Sequence, residues 1–429
     1  MIHSEVDIVG MPYVPGFATG RLQAGGRAGA GDLALIGQDD IARVATPPAG
    51  FIVVEGAPFS HTLITLLGWG VPTVLVSAMQ AAELTEGMAL HLDGLSGRIS
   101  SMRPAAWPPT PAQDLQTGRP LHMADGEPVH LLASVRTPEA ARHAAQGGAS
   151  AIGLVRSEFL VPADGAIPDA TFYRREIRAL CEAAAPLPVT LRLLDLAMDK
   201  LPPWLPRQAA LGQSLGLQGV RLYPTSPVRE VVEAQLVALG ELGAEFDLRL
   251  IIPFLVRLEE LEYWQDFVRR RIPDGVPVGA MAETLASVLD IRELLQCADF
   301  VAIGCNDLMQ ALYAADRDQA VLRHYLDPYA PPLFRLLRQV AECVDDRLQR
   351  VQLCGVLPQI RGVLPLLLGL GFRRFSIDVP FLPWLARAVA GSTRVDCEEL
   401  AARACAARTT ADVLRLLELP ADRGVPYLR

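Results

Sequence analysis

The sequence predicts an α/β protein whose larger part is a (β/α)8 TIM barrel that follows a small β-rich domain. Eight short apolar runs succeed one another from residue 129 onward, and polar or charged residues stand at or near the ends of most of them. Parallel strands covered by helices typically form such continuous apolar runs. A barrel of this kind builds its active site from the loops at the carboxyl ends of its strands. The pattern therefore indicates an enzyme.

The apolar runs are separated by stretches long enough for helices, as parallel βαβ units require. We interpret eight runs as strands: VHLLAS (129–134), AIGLVRSE (151–158), VTLRLLD (189–195), GVRL (219–222), LRLIIPF (248–254), VPVGAMAE (276–283), FVAIGCND (300–307) and RVQLCG (350–355). Helices are predicted at 138–148, 172–185 and 284–296, with a closing helix at 411–419.

The composition is that of an ordinary well-packed protein, with 51% hydrophobic and 20% charged residues among 429. A net charge of −9 argues against nucleic acid or a membrane surface as a partner. The seven cysteines form no CxxC pair, which favours a reduced setting over a disulfide framework. The N-terminus lacks a signal-length apolar core, and no run approaches the ~18 apolar residues of a membrane span. We expect a cytoplasmic protein.

The chain is predicted to divide into two domains joined by a linker. Residues 1–103 are glycine-rich and contain the strand-like runs FIVVE, PTVLVS and ALHLD. Residues 104–120 are rich in proline and lack apolar periodicity, which is typical of an extended, semi-rigid linker. Residues 121–429 then carry the barrel pattern.

A histidine near the start of a helix is the most pointed feature of the first domain. Ser60 is a plausible helix N-cap, and His61 falls in the first turn of HTLITLLG. The N-terminus of a helix favours a bound anion, so an imidazole there can act as a nucleophile that accepts a phosphoryl group. The alternative is a polar first-turn residue without chemistry.

Several motifs resemble those of phosphoenolpyruvate-utilising enzymes, the family that includes enzyme I of the sugar phosphotransferase system, phosphoenolpyruvate synthase and pyruvate phosphate dikinase. In the first domain these are GMPYVPGFATGRL, SHTLI, GWGVPTV and EGMALHLDGLSGRI, in the order found in swivelling phosphohistidine domains. In the second they are IGLVRSEFL, LRLLDLAMDK, VGAMAETLA, IGCNDLMQALYAADR and LCGV. The resemblance covers nearly the whole chain.

The resemblance implies a substrate site for phosphoenolpyruvate. The family's substrate-binding arginines correspond to Arg156, Arg192, Arg221 and Arg317, and its nearby lysine to Lys200. Guanidinium groups suit phosphate and carboxylate because they can bind both oxyanions in a bidentate way. A single arginine at a strand end is often only a surface or ion-pair residue.

The metal, the phosphate contact and the proton donor also follow from the resemblance. Glu283 and Asp307 would hold Mg²⁺, which accepts few protein ligands, although two acids could instead form ion pairs with the arginines. Asn306 would hydrogen-bond the phosphate, or serve as a turn residue. Cys354, at the end of the predicted eighth strand, would protonate C3 of the enolate, or else be a packing residue like Cys305.

The chain departs from its relatives near these positions. Phe59 stands where many relatives have threonine, and Leu67 where they have arginine. Ala197 and Met198 replace a Gly-Gly pair, while Gln218 and Val356 replace the usual Arg and Glu. From these residues we expect neither an ATP-grasp domain nor a helical insertion for docking a carrier protein.

The resemblance therefore predicts a Mg²⁺-dependent phosphotransferase that moves the phosphoryl group of phosphoenolpyruvate to His61, releases pyruvate and passes the group to a partner protein. It also implies a homodimer formed through the barrel. One alternative is the catalytic half of a split synthase or dikinase with a separate ATP-grasp chain. Another is a non-catalytic sensor of phosphoenolpyruvate, which the substitutions near His61 favour. Cys354, which binding alone does not require, favours catalysis.

Overall fold

The computed structural model describes residues 6–44, 46–104, 106–107, 115–197, 201–205 and 216–420. The chain divides into two compact units. The first consists of Met1–Ala112 together with Ala315–Leu326, and the second of Gln113–Ala314 together with Asp327–Arg429. A short segment from the second half of the sequence is therefore part of the first unit.

The first unit is built on an eight-stranded mixed sheet. Its strands are β1 (Asp7–Val9), β2 (Met11–Val14), β3 (Phe17–Ala24), β4 (Leu33–Gly37), β5 (Gly50–Val54), β6 (Thr73–Val76), β7 (Ala89–Asp93) and β8 (Arg98–Ser100). Their order in the sheet is β1-β8-β7-β3-β4-β5-β6-β2. The three strands predicted from the sequence correspond to β5, β6 and β7 and are confirmed.

Strand β3 joins the two halves of this sheet, because it pairs antiparallel with β7 and parallel with β4. Leucines and isoleucines of these strands, among them Leu22, Leu33, Ile52 and Leu90, are fully buried in one core. Two helices accompany the sheet, α1 (His61–Trp69) and the single turn α2 (Ala78–Ala81).

The second unit is a closed parallel barrel, which confirms the predicted fold class. After β9 (Leu121–His122), its strands are β10 (Pro128–Val135), β11 (Ile152–Arg156), β12 (Val189–Arg192), β13 (Leu248–Leu255), β14 (Val278–Ala282), β15 (Val301–Gly304), β16 (Val351–Cys354) and β17 (Arg374–Asp378). The ring closes because β10 pairs in parallel with both β11 and β17.

Helices alternate with these strands. They are α3 (Pro138–Gln146), α4 (Ala170–Ala184), α5 (Val228–Leu242), α6 (Leu258–Arg269), α7 (Leu285–Leu289), α8 (Ile291–Cys297), α9 (Cys305–Tyr313), α10 (Pro331–Val344), α11 (Val363–Gly369), α12 (Leu382–Ala390), α13 (Arg394–Ala406) and α14 (Thr410–Leu416). The helices predicted at 138–148, 172–185 and 411–419 are confirmed, whereas the one predicted at 284–296 is divided into α7 and α8 at Asp290.

One predicted strand is wrong, and one real strand was not predicted. GVRL forms a 3-10 turn over Gly219–Arg221, where Gly219 has a φ of +54° and a Cβ would lie 2.5 Å from Cβ of Phe254. Only glycine fits this close, left-handed position without strain. The eighth strand is instead β17, so Cys354 ends the seventh strand and not the eighth.

The described ends of the predicted linker are held by contacts within each unit. The ring of Trp107 stacks on that of Phe17 with a centroid separation of 4.8 Å. On the barrel side, Thr117 Oγ1 donates to the Ala145 carbonyl at 2.6 Å, and Gly118 N donates to Ala149 O at 3.0 Å. Throughout the described residues, no helix is long and apolar enough to cross a membrane.

Candidate active site

Six of the residues that the sequence singled out lie at the carboxyl ends of the barrel strands. Arg156, Arg192 and Cys354 are the last residues of β11, β12 and β16. Glu283 directly follows β14, and Asn306 and Asp307 lie in the first turn of α9, which directly follows β15. Because parallel strands present their carboxyl ends at one end of the barrel, the topology brings these side chains to a common mouth. Lys200 lies outside the described residues.

Arg192 lies at the centre of a buried ion-pair cluster. It is only 5% exposed, and one guanidinium nitrogen lies 2.8 Å from a carboxylate oxygen of Asp195. A second nitrogen bonds the carboxylate of Glu158, which follows β11. Arg156 is its neighbour across the strand pair, since the two arginines are Cα partners in register. Two guanidinium groups thus stand side by side at the mouth.

The carboxylates around Arg192 determine its charge state. Burial by itself lowers the pKa of the guanidinium, but Asp195, Glu158, Glu283 and Asp307 outweigh that effect and raise the pKa well above its ordinary value. Arg192 therefore remains a fixed cation at any pH at which the protein is folded. Its Nε has no hydrogen-bond partner among the described residues.

The carboxylate of Glu283 is oriented by a backbone hydrogen bond and by the absence of a side chain at Gly304. Its Oε1 accepts a hydrogen bond from Phe254 N at 2.9 Å, and the residue is 2% exposed. A Cβ at Gly304 would lie 2.6 Å from Oε2 of Glu283, so any larger residue at 304 would displace the carboxylate. Glycine at this strand end is what allows the acid to lie where it does.

Asn306 is held by the loop after β16. Its Oδ1 accepts a hydrogen bond from Val356 N at 3.0 Å. Gly355, which precedes Val356, has a φ of +103°, and a Cβ at this position would lie 2.8 Å from Oδ1 of Asn306. With the oxygen engaged by the backbone, the amide nitrogen of Asn306 is the group that can donate to a ligand.

Cys354 is a buried thiol that keeps its proton. Burial raises its pKa to about 11, although the amide of Gln352 and the charges of Arg156 and Arg192 act in the opposite direction. Nε2 of Gln352 lies 3.4 Å from the sulfur. At neutral pH the group is therefore a thiol beside two cations, which suits a proton donor better than a nucleophile.

Arg221 is more exposed than Arg156 and Arg192. It lies on the 3-10 turn Gly219–Arg221, where one nitrogen donates to Gly216 O at 3.2 Å and another lies 3.5 Å from Glu260. Its Cζ lies 5.4 Å from the ring centroid of Phe254, the residue whose backbone orients Glu283. Arg221 is thus linked to the mouth through Phe254.

His61 lies where the sequence analysis predicted it, as the first residue of α1. Ser60 is the N-cap, and its side chain accepts a hydrogen bond from Leu63 N at 3.3 Å. The helix ends at Gly70, which adopts the left-handed conformation. The substituted positions Phe59 and Leu67 are both buried, so they pack in the core of the first unit and do not face solvent.

Arg317 belongs to the first unit, in the segment Ala315–Leu326, and not to the barrel unit with the other arginines. Its guanidinium lies 3.0 Å from Nε2 and 3.2 Å from Nδ1 of His61. The neighbouring Asp318 accepts a hydrogen bond from His61 N at 2.9 Å, and its second oxygen lies 3.5 Å from Nδ1. Arg323 of the same segment forms an ion pair with Glu55. Within this unit, His61 therefore contacts both a cation and a carboxylate.

Sequence reasoning missed two partners of the candidate site. Asp318, which contacts His61, directly follows the predicted Arg317, so the signal was an acid beside a site residue. Gln352, which contacts Cys354, is a polar residue two positions earlier in an otherwise apolar strand. Since side chains two apart on a strand share a face, that spacing was a usable signal.

The carboxylates at the mouth suit a hard cation. Among the residues that the structure describes, no group of three or more His, Cys, Asp or Glu side chains could hold a metal ion. Mg²⁺, however, usually takes one or two carboxylates and completes its shell with water or substrate oxygens. The oxygen-only pair Glu283 and Asp307 fits that requirement.

The fold and the site define the class, a (β/α)8 barrel with guanidinium and carboxylate groups converging at its carboxyl end. The family described as "PEP-utilising enzyme, PEP-binding domain" (PEP being phosphoenolpyruvate) matches residues 112–394. This chain belongs to that family.

Curated relatives extend the similarity beyond the barrel. The chain is 31% identical over 376 residues to a phosphoenolpyruvate-protein phosphotransferase of Streptomyces coelicolor, an alignment that covers 83% of this chain and 66% of the relative. It is 28% identical to the protein of that name from Staphylococcus carnosus, covering 86% and 68%. Against multiphosphoryl transfer protein 2 of Escherichia coli the identity is also 28%, covering 86% and 47%. The chain thus spans about two thirds or less of the length of these relatives.

Proposed function

We propose that this chain transfers the phosphoryl group of phosphoenolpyruvate to His61, releases pyruvate and passes the group to an acceptor protein. Membership of a family named for phosphoenolpyruvate binding supports the substrate. The names of the curated relatives support protein as the acceptor. In this proposal residues 1–103 are the swivelling phosphohistidine domain, 104–120 the linker and 121–429 the substrate-binding barrel.

The observation that carries the proposal is the pair of buried guanidinium groups at the barrel mouth. Arg156 and Arg192 are adjacent in register, and burial keeps both largely away from water. Phosphoenolpyruvate carries a phosphate and a carboxylate, so two neighbouring cations with forked donors match its two anionic ends. Asn306, Arg221 and Lys200 are the further residues that we assign to substrate binding, and Arg317 is assigned to the phosphoryl group beside His61.

Mg²⁺ is the metal that we assign to Glu283 and Asp307. When bound, it would neutralise charge on the phosphoryl oxygens during transfer. The chain's own contribution is to hold the carboxylate of Glu283 in place through Phe254 N and the space left by Gly304.

The transfer breaks the bond between phosphorus and the enol oxygen and forms a bond between phosphorus and an imidazole nitrogen of His61. The electron pair of the broken bond stays on the oxygen, giving the enolate of pyruvate. The thiol of Cys354 then gives its proton to C3, and solvent returns a proton to the sulfur. A pKa of about 11 keeps that thiol protonated at neutral pH until an enolate needs the proton.

The protein partner completes the reaction, because His61 must lose its phosphoryl group before another turnover. We propose a cytoplasmic acceptor protein that carries a histidine, and a homodimer formed through the barrel. Arg317 and Asp318, which contact His61, support its role as the phosphoryl acceptor. A guanidinium group can stabilise the phosphoryl group, and a carboxylate can fix the tautomer of the imidazole.

The direct test is phosphorylation of the purified chain with labelled phosphoenolpyruvate and Mg²⁺. We expect an adduct that is labile to acid and stable to base, and that His61→Ala abolishes. His143→Ala, which removes an exposed histidine of α3, is the matched control and should label normally. Label that persists in His61→Ala would exclude His61 as the acceptor.

A further inference from the structure

A second cavity lies at the opposite, amino-terminal end of the barrel. It has a volume of about 450 Å³, and its lining includes Gly153, Thr190, Arg249, Gln352 and Arg374. The first four are the second residues of β11, β12, β13 and β16, and Arg374 begins β17. Since the strands are parallel, this cavity is at the end from which all of them start, away from the mouth described above.

The lining carries an excess of positive charge. It contains four arginines, at positions 249, 269, 350 and 374, against the single carboxylate of Asp299. Asp299 is already engaged, because its Oδ2 accepts from Arg269 at 2.9 Å and from Val278 N at 2.7 Å. This local excess stands out in a chain whose net charge is −9.

Two of these arginines, Arg249 and Arg374, have little compensation from nearby acids. The guanidinium of Arg374 has no side-chain hydrogen bond or acid among the described residues acting on it, since burial and the charge of Arg249 are the only influences on its pKa. The nearest carboxylate to Arg249 is that of the largely exposed Asp247, at 3.9 Å, and the buried Nε of Arg249 has no hydrogen-bond partner in the described part of the chain. A guanidinium group that is partly removed from water without such partners is costly.

The two guanidinium groups also repel each other. β13 and β17 are four strands apart in the ring, so Arg249 and Arg374 extend over the cavity from opposite walls. Burial lowers the pKa of Arg374, and the charge of Arg249 lowers it further. An anion bound between the two would offset the repulsion and would supply hydrogen-bond acceptors to the guanidinium groups.

We infer that this cavity is a binding site for a small polyanion that carries phosphate or carboxylate groups. Arg249 and Arg374 supply the charge, and the buried hydroxyl of Thr190, whose residue is a Cα partner of Arg249, adds a neutral donor at the wall. The volume accommodates a molecule larger than one phosphate ion, such as a tricarboxylate.

The site has a direct connection to the catalytic end of the barrel. Gln352 lines the cavity, is 4% exposed, and uses Nε2 to reach both Gly153 O at 3.1 Å and the sulfur of Cys354 at 3.4 Å. An anion that drew this amide toward itself would remove a donor from Cys354. This consequence, unlike the binding itself, rests on the function proposed above for Cys354.

Calorimetric titration of the purified chain tests the binding without any turnover. Inorganic phosphate and citrate are the two probes, each at constant ionic strength set with chloride, so that their affinities separate a phosphate site from a carboxylate site. We expect a saturable binding component that Arg374→Gln and Arg249→Gln each weaken at least ten-fold, apart from any probe binding at the carboxyl end. Arg415→Gln, an exposed change in α14, is the control and should bind as the wild type does.

The location is tested in Arg156→Gln, which disrupts anion binding at the carboxyl end only: the binding component that depends on Arg249 and Arg374 should persist in it with unchanged affinity. Loss of that component in Arg156→Gln, or unchanged binding in both cavity variants, would overturn the proposal, and so would the absence of saturable binding in the wild type. Circular dichroism checks that each variant is folded. We expect Arg374→Gln to be at least as stable as the wild type in chloride alone, because it removes a repulsion.

Discussion

The two ends of the barrel place arginines that are removed from water, fully or in part, in opposite electrostatic surroundings. At the carboxyl end, Arg192 is surrounded by acids and bonded to Glu158 and Asp195. At the amino end, Arg249 and Arg374 face each other across a cavity with little compensating charge. The charge of Arg192 is balanced by these acids before any ligand binds, and the ion pairs fix the position of its guanidinium group. The arrangement at the amino end is unbalanced, so it favours an anion of whatever shape the cavity admits. The two proposed sites of this barrel thus share the sign of their charged groups and differ in how far those groups are compensated.

Removing an acid from the balanced end should have the largest effect. Glu283→Gln preserves size but removes one of the two carboxylates assigned to Mg²⁺. We expect pyruvate release to fall by about three orders of magnitude, since charge neutralisation by a metal contributes several kcal/mol to such a transition state. Steady-state assays of pyruvate formation measure this, and the exposed Glu293→Gln of α8 is the matched control. Near-normal release by Glu283→Gln would show that the metal is held elsewhere.

Removing the thiol of Cys354, at the same end, should slow proton transfer to C3 without weakening the binding of phosphoenolpyruvate. Cys354→Ala removes the proton donor but leaves Arg156 and Arg192 in place, so phosphoenolpyruvate should bind with unchanged affinity. Exchange of solvent deuterium into C3 of pyruvate should fall by about 10²–10⁴-fold, the usual contribution of general acid–base catalysis. Isotope exchange followed by NMR, with calorimetric binding in parallel, separates the two effects. Normal exchange in the variant would reduce Cys354 to a packing residue.

The smallest expected effect is on stability at high pH. The folded-state pKa of Cys354, about 11, lies above its ordinary value of 9.0 because burial favours the neutral thiol. Below pH 9 both folded and unfolded states hold the proton, so the contribution is complete; between pH 9 and 11 only the folded state holds it, and stability falls as the pH rises. The loss attributable to this group is on the order of 1–3 kcal/mol.

Urea unfolding at pH 8, 9, 10 and 11 measures this loss. Other buried thiols and phenols contribute a similar decline, so the informative quantity is the difference between the wild type and Cys354→Ala. That difference should shift with pH in favour of the variant. Parallel curves for the two proteins across the whole range would mean that burial does not control the protonation of this thiol.

The sequence was sufficient for the fold class and for most of the residues at the carboxyl end, and the reasons are physical. Several strands there are short apolar runs that end in or are directly followed by a charged residue, as at Arg156 and Glu283, and that pattern is visible without knowledge of the packing. His61 was also predictable, because a cap residue and an apolar helix are both local features. These are properties of consecutive residues.

The features that the sequence analysis missed depend on contacts between distant segments. GVRL has the composition of a strand, but the approach of Phe254 to Gly219 makes it a turn. Asp318 lies more than 250 residues from His61, so nothing local to either residue indicates that they touch. The amino-end cavity is formed by residues at the starts of strands. An arginine at such a position is ordinarily interpreted as a solvent-exposed residue.

The segment Ala315–Leu326 has a consequence for inheritance and not only for structure. A gene rearrangement that moved the first 112 codons into another protein would carry the helix and its histidine. It would leave behind the guanidinium of Arg317 and the carboxylate of Asp318, which contact that histidine, and the partner of Glu55. The first unit can therefore be transferred with all of these contacts only if the codons for residues 315–326 go with it.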